Sequence, residues 1–254
     1  MAITSIATES TNTTPTTPIT ATTDEKQVYT PATNLYMELL QLAGNDVIEI
    51  FGNSGSGKTS FAHEVINAAQ KLTNPAKSIF YADDERNFKE APKGITYVYK
   101  PKWSDMYVEL KKIDTSHKYD LIILDSLGAP ILGEFASMDA KDRGQALLEC
   151  SAVAYRLKYL SASRSCLVLI LNQPESEFAK GKDYELEPFG DKHKFFVKEI
   201  WRSRRMENSD INTTWCNIEA FRSRMFGRGK ILYSVKVTGT QNAQVREVTR
   251  KWDK

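Results

Sequence analysis

The sequence predicts an α/β fold with a mostly parallel central sheet, helices on both faces and an antiparallel, β-rich C-terminal edge. Three observations carry that prediction. Short aliphatic runs at 46–51, 78–82, 119–124 and 166–171 alternate with segments whose apolar residues recur at helical spacing, the pattern of strands buried on both faces between helices. The first run leads into a glycine-rich turn and then a helix. Beyond residue 195 the helical spacing gives way to β-type segments at 195–205, 213–221 and 231–237.

Length and composition bound the architecture. With 254 residues and 41% hydrophobic content, the chain can bury one substantial core with at most a small appendage. No stretch approaches the ~18 apolar residues of a membrane span, and no basic-then-apolar leader opens the chain, so a cytoplasmic protein is expected. Cys150, Cys166 and Cys216, like His63, His117 and His193, are scattered and form no zinc or disulfide pattern. Residues 1–27 are rich in Thr, Ser, Ala and Pro and are expected to be a disordered tail, leaving 28–254 as the folded domain.

Taken in order, a short amphipathic helix at 33–40 is capped by Thr33 or Asn34, and Gly44-Asn45 turns the chain into the first strand. Then comes Gly52-Asn53-Ser54-Gly55-Ser56-Gly57-Lys58-Thr59, a full match to the phosphate-binding loop G-x-x-x-x-G-K-[ST] in its required strand–loop–helix setting. Glycines let backbone N–H groups close on a triphosphate at a helix N-terminus. The nucleotide-binding set is therefore residues 52–60, Ser60 included, with Lys58 directed at the β/γ-phosphates of ATP and the Thr59 hydroxyl at Mg²⁺.

The next strand, 78–82, ends in Asp83, Asp84 and Glu85. Ligands of open α/β sheets sit at the carboxyl ends of strands, so Glu85 is placed to deprotonate an attacking water; acids there also simply solvate loops. A strand at 95–99 and a helix at 104–113 capped by Ser104 follow. The run Leu121-Ile122-Ile123-Leu124-Asp125-Ser126 delivers a carboxylate to a strand end, making Asp125 a metal-site residue beside Thr59. Residues 127–140 are expected to be a loop and 142–160 a long amphipathic helix. The strand at 166–171 ends in Asn172-Gln173, either a γ-phosphate sensor or a polar strand cap, before a long polar segment at 174–191.

This ordered set resembles the RecA/RadA recombinase ATPase core over roughly residues 30–240. Gly52 to Thr59 resembles its Walker A, Tyr81-Ala82-Asp83-Asp84-Glu85-Arg86-Asn87-Phe88 its Tyr-Ile-Asp-Thr-Glu-Gly-Thr-Phe, Leu121 to Ser126 its Walker B, and Leu171-Asn172-Gln173 its Thr-Asn-Gln. The resemblance puts Glu85 at the catalytic base, with Lys58 and Gln173 on the γ-phosphate. Residues 1–27 cannot form the helix-hairpin-helix domain of full-length archaeal RadA. Phe88-Lys89-Glu90-Ala91 has the letters of the Phe-x-x-Ala polymerisation motif but follows Glu85, the wrong place. The resemblance thus points to a core-only paralogue, like archaeal RadA paralogues or short viral RecA-like proteins, linked in the family to DNA repair and recombination.

Charge agrees with DNA binding. Residues 190–254 hold fifteen Lys/Arg against seven Asp/Glu, an excess of eight, although the whole chain is only +2. Lys192, Lys194, Lys198, Arg202, Arg204 and Arg205 cluster with Phe195, Phe196 and Trp201, suiting phosphates and unpaired bases; a solvated sheet face with core-directed aromatics is the alternative. Arg222 and Arg224 resemble the finger that KaiC and DnaB-type relatives insert into a neighbour's ATP site; contact with DNA, or simple solvation of a hairpin, are the alternatives. The expectation is an ATP- and Mg²⁺-dependent ATPase that prefers single-stranded DNA and works as a homo-oligomer or with a RecA-family recombinase. A KaiC-like signalling ATPase with a protein partner and a DnaB-like ring motor are the alternatives.

Overall fold

The computed structural model describes residues 34–73, 77–88, 90, 92–113, 119–174, 188–190, 193–207, 212–240 and 243–252. The expected tail at 1–27, Lys192 and most of the polar segment 174–191 lie outside them. Helix α1 (Leu35–Ala43) starts at Asn34, whose side chain accepts the Met37 N–H, and stops at Gly44 in the left-handed conformation. Strand β1 (Val47–Phe51) then runs into the glycine-rich loop and α2 (Lys58–Gln70).

The aliphatic runs become β1, β2 (Ile79–Asp83), β4 (Leu121–Asp125) and β5 (Leu167–Asn172), each buried along its whole length. With β3 (Ile95–Tyr99), β6 (Glu199–Arg205), β7 (Thr213–Arg222), β8 (Ile231–Thr240) and β9 (Ala243–Arg250) they form one nine-stranded sheet in the order β3-β2-β4-β5-β1-β6-β7-β8-β9. Strands β3 to β6 in that order are parallel, and β7, β8 and β9 extend the sheet antiparallel. One face packs on α3 (Trp103–Lys112), α4 (Ala129–Glu134) and α5 (Ala140–Arg164), where Phe51, Phe80, Ile122 and Val168 meet Met106, Leu110, Ile131 and Leu157. On the other side α1 and α2 pack together, and α2 also meets β4, β5, β8 and β9.

Several boundaries differ from the sequence prediction. Helix α3 begins at Trp103, with Lys102 rather than Ser104 in the cap position. Burying the Trp103 ring sets that start: its backbone N–H donates to Glu134 Oε2 (3.2 Å) and its indole N–H to Glu149 Oε2 (2.9 Å). The loop expected at 127–140 contains α4, whose first turn accepts Pro130 because no N–H is needed there. Helix α5 runs further in both directions, from the Asp139 cap to Arg164. The strand expected at 195–205 starts only at Glu199; His193–Phe195 is a 3₁₀ turn, so Phe195 is 74% exposed while Phe196 meets Tyr155 edge-on. Strand β9 was not anticipated, since Gln244, Arg246, Glu247 and Thr249 leave it no aliphatic run. Among the described residues no helix is long and apolar enough to cross a membrane.

Candidate functional site

Six parallel strands bring their carboxyl ends to one edge of the sheet, and the glycine-rich loop lies there. The loop is packed too closely for any residue but glycine at two positions. A Cβ on Gly57 (φ 94°) would sit 2.9 Å from Cys216 Cβ and Sγ, and one on Gly52 would sit 2.3 Å from the Ser203 carbonyl oxygen. Lys58 is buried and its Nζ donates to the carbonyls of Gly52 (2.7 Å) and Asn53 (3.0 Å). Burial lowers its pKa, while Asp125 and Glu85 act in the opposite direction.

A cleft of about 220 Å³ opens over the loop. Residues 54–60 form its floor, and Glu85, Asp125, Gln173, Thr214, Cys216 and Val237 form its walls. The structure therefore brings Lys58, Thr59, Glu85, Asp125 and Gln173 together from four separate chain segments. Gln173 is fixed through its backbone, donating its N–H to Asn172 Oδ1 (2.9 Å) and accepting the Phe189 N–H (2.9 Å).

The Asp125 carboxylate is the hub. Its Oδ2 accepts from Thr59 Oγ1 (2.8 Å), the Tyr81 hydroxyl (2.7 Å) and Asn87 Nδ2 (3.0 Å). Burial raises its pKa to about 6 against the Tyr81 and Thr59 hydrogen bonds, which lower it. Tyr81 is in turn pushed well up by its own burial and by Asp125. Beside it, the loop that carries Glu85 is folded over Asp83: Glu85 N–H donates to Asp83 Oδ1 (2.9 Å), Asn87 donates its N–H to Oδ2 (2.5 Å) and its amide to Oδ1 (2.9 Å), and the Tyr97 hydroxyl donates to Oδ2 (2.5 Å). Asp84 accepts the Ser126 N–H. The Asp125–Ser126 peptide is cis.

This donor set fits a magnesium–triphosphate group. The Thr59 hydroxyl and the Asp125 carboxylate, 2.8 Å apart, are the hard oxygen ligands Mg²⁺ takes, and the ammonium of Lys58 stands beside them. Sequence reasoning missed Tyr81 and Asn87, whose partners are set by tertiary packing. It also missed a buried cluster behind Gln173, where Glu49 Oε1 meets His193 Nε2 (2.9 Å) and accepts from Asn172 Nδ2 (2.7 Å). A glutamate inside an aliphatic strand was the available signal, because a buried carboxylate needs partners.

The basic cluster is only partly assembled on the surface. Lys194 is buried, against expectation, because it lies in the 3₁₀ turn rather than on an exposed strand face. Arg202 is largely covered and pairs with Glu219 (2.5 Å), which Arg204 also reaches (3.0 Å). Arg204, Arg205 and Lys198 are exposed. Arg222 donates to the Lys194 carbonyl (3.2 Å), and Arg224 lies against Asp46 (3.6 Å), Glu199 (3.7 Å) and the Ala43 carbonyl (3.2 Å), at the opposite ends of β1 and β6 from the cleft. No family model matches the chain, and no curated protein sequence matches it.

Proposed function

We propose that the chain is a RecA-type P-loop ATPase that binds single-stranded DNA and acts in repair or recombination. The observation that carries this reading is the meeting of Lys58, Thr59, Glu85, Asp125 and Gln173 in one cleft. The parallel sheet with an antiparallel C-terminal edge supports the RecA-type assignment. Thr59 and Asp125 would hold Mg²⁺, which neutralises charge on the phosphate oxygens when bound. Lys58 and the loop N–H groups orient the triphosphate, and Gln173 contacts its γ-phosphate. Glu85 takes a proton from water as the water oxygen bonds to the γ-phosphorus and the bond to the β-phosphate oxygen breaks, releasing ADP and phosphate. Arg204 and Arg205 provide the DNA contact, and Arg222 and Arg224 serve the cleft of a neighbouring copy or of a RecA-family partner.

The test is ATP hydrolysis with and without single-stranded DNA, on the wild type and on Glu85→Gln, at low and moderate salt. DNA should stimulate turnover, less so as salt rises, and Glu85→Gln should lower it on the order of 10²-fold or more while nucleotide still binds. Hydrolysis indifferent to DNA, with no DNA binding at low salt, would leave a signalling ATPase with a protein partner. Duplex unwinding by closed rings would instead indicate a DnaB-like motor.

A further inference from the structure

Strand β6 continues past the end of β1. Their last paired residues are Phe51 and Arg202, so Ser203, Arg204 and Arg205 run alongside the start of the phosphate-binding loop. Two contacts join them: Gly52 closes on the Ser203 backbone, and the buried Ser203 hydroxyl donates to the Ser56 carbonyl at 2.6 Å. Adjoining the nucleotide cleft at the loop lies a second cleft, of about 420 Å³, lined by Phe51, Pro174, Arg202, Arg204, Arg205 and loop residues. Ser54 and Ser56 line both clefts, so the two share part of the loop as a wall.

We propose that this second cleft takes the phosphodiester backbone of a single nucleic-acid strand, and that Ser203 is the positioning residue that ties its occupancy to nucleotide binding. The inference rests on the ATPase reading above. Guanidinium forks match phosphate oxygens, and a phosphate approaching Arg204 draws it from the Glu219 carboxylate that Arg202 still neutralises. Coupling follows from peptide geometry. The Ser56 C=O and the Gly57 N–H belong to one planar trans unit and point in opposite directions. With the carbonyl held on Ser203, the Gly57 N–H is aimed away from β6 and toward the nucleotide cleft. A strand bound against Arg204 and Arg205 fixes the end of β6, hence Ser203, hence that donor, and nucleotide must strengthen strand binding by the same factor.

The experiment uses the full chain, a fluorescent oligothymidylate and a non-hydrolysable ATP analogue. In the wild type the analogue should tighten oligonucleotide binding by about fivefold or more. In Ser203→Ala that factor should fall to about one, and Ser203→Thr, which keeps the hydroxyl, should restore it. Arg204→Ala/Arg205→Ala, both exposed positions, should lose oligonucleotide affinity and flatten its salt dependence with nucleotide affinity unchanged. Undiminished coupling in Ser203→Ala overturns the inference and leaves the proposed function standing, whereas wild-type oligonucleotide affinity in the double arginine variant overturns the inference together with the assignment of the DNA contact to Arg204 and Arg205, leaving the ATPase reading. Two nucleotides bound per chain, one lost in the arginine variant, would also overturn it by showing that the cleft takes free nucleotide. A wild type that binds no oligonucleotide at low salt sinks the DNA reading itself.

Discussion

Asp84 sits where a carboxylate is hard to ionise. Burial lifts its pKa to about 7; the Ser126 N–H opposes the shift, and Asp125, Glu85 and Asp83 add to it. An unfolded aspartate titrates near 3.8. Between those values the native chain holds a proton that the unfolded chain has released, so this group makes stability fall as pH rises toward 7 and keeps it lower beyond. Asp84→Asn keeps an oxygen for the Ser126 N–H and removes the charge. It should raise stability at about pH 8 by about 2–3 kcal/mol, a gain that vanishes by about pH 4, as read from urea denaturation across that range. A gain independent of pH would mean that charge is not its source. The sequence placed Asp83, Asp84 and Glu85 together at one strand end and singled out Glu85 as the base, without showing what the other two do. The pairing of Asp83 with Asp125 across β2 and β4 distinguishes them, turning Asp83 into a folded-loop anchor and leaving Glu85 in the cleft. Lys58, Thr59 and Asp125 were legible because short-range motifs specify them, whereas Tyr81 and Asn87 became visible only once β2 lay beside β4.

At the scale of elements, α2 is tied to the Glu85 loop by His63, which stacks on Phe88 with ring centroids 4.6 Å apart. Burial, with a smaller effect from Arg246 on β9, lowers the His63 pKa from 6.5 to about 4. The sign is the reverse of that for Asp84. The unfolded histidine takes up a proton below 6.5 and the native one does not, so stability is complete above that value and is lost as pH falls from 6.5 toward 4. Between neutral pH and about pH 5 the loss should be about 2 kcal/mol more in the wild type than in His63→Phe, measured by denaturant midpoints. Equal acid sensitivity in both would place it elsewhere. Elements were legible where burial was two-sided: the aliphatic runs gave β1, β2, β4 and β5 directly. They were illegible where side chains face water, as in β9, or where one buried aromatic outweighs local capping, as Trp103 does over Ser104.

At the scale of the molecule, the two ends of the central strands carry different chemistry. The cleft lies at their carboxyl ends, while Arg224 is held near Asp46 and Glu199 at their amino ends, away from the cleft of its own chain; under the proposed function it would serve the cleft of another copy. Turnover per chain should therefore rise with protein concentration, and Arg224→Ala should lower it on the order of 10³-fold. An equal mixture of Arg224→Ala and Glu85→Gln chains should recover activity, because some interfaces then pair an intact arginine with an intact glutamate. No recovery, with both variants folded, would assign Arg224 a structural role within its own chain. The overall α/β architecture and the polarity of its strands were legible from the alternation of runs and helices. The antiparallel extension was legible too, apart from β9, but not that its strands β7 and β8 supply Thr214, Cys216 and Val237 to the cleft.

That extension has a consequence for how the site is made and lost. The cleft draws on the loop after β1, the turn after β2, the ends of β4 and β5, and the inner positions of β7 and β8, so nearly every crossover of the chain contributes one wall. Residues 54–60 supply the floor, but no short fragment supplies both the floor and the walls. A ligand held there would therefore stabilise β7 and β8 along with β1, because floor and walls come from distant parts of one chain.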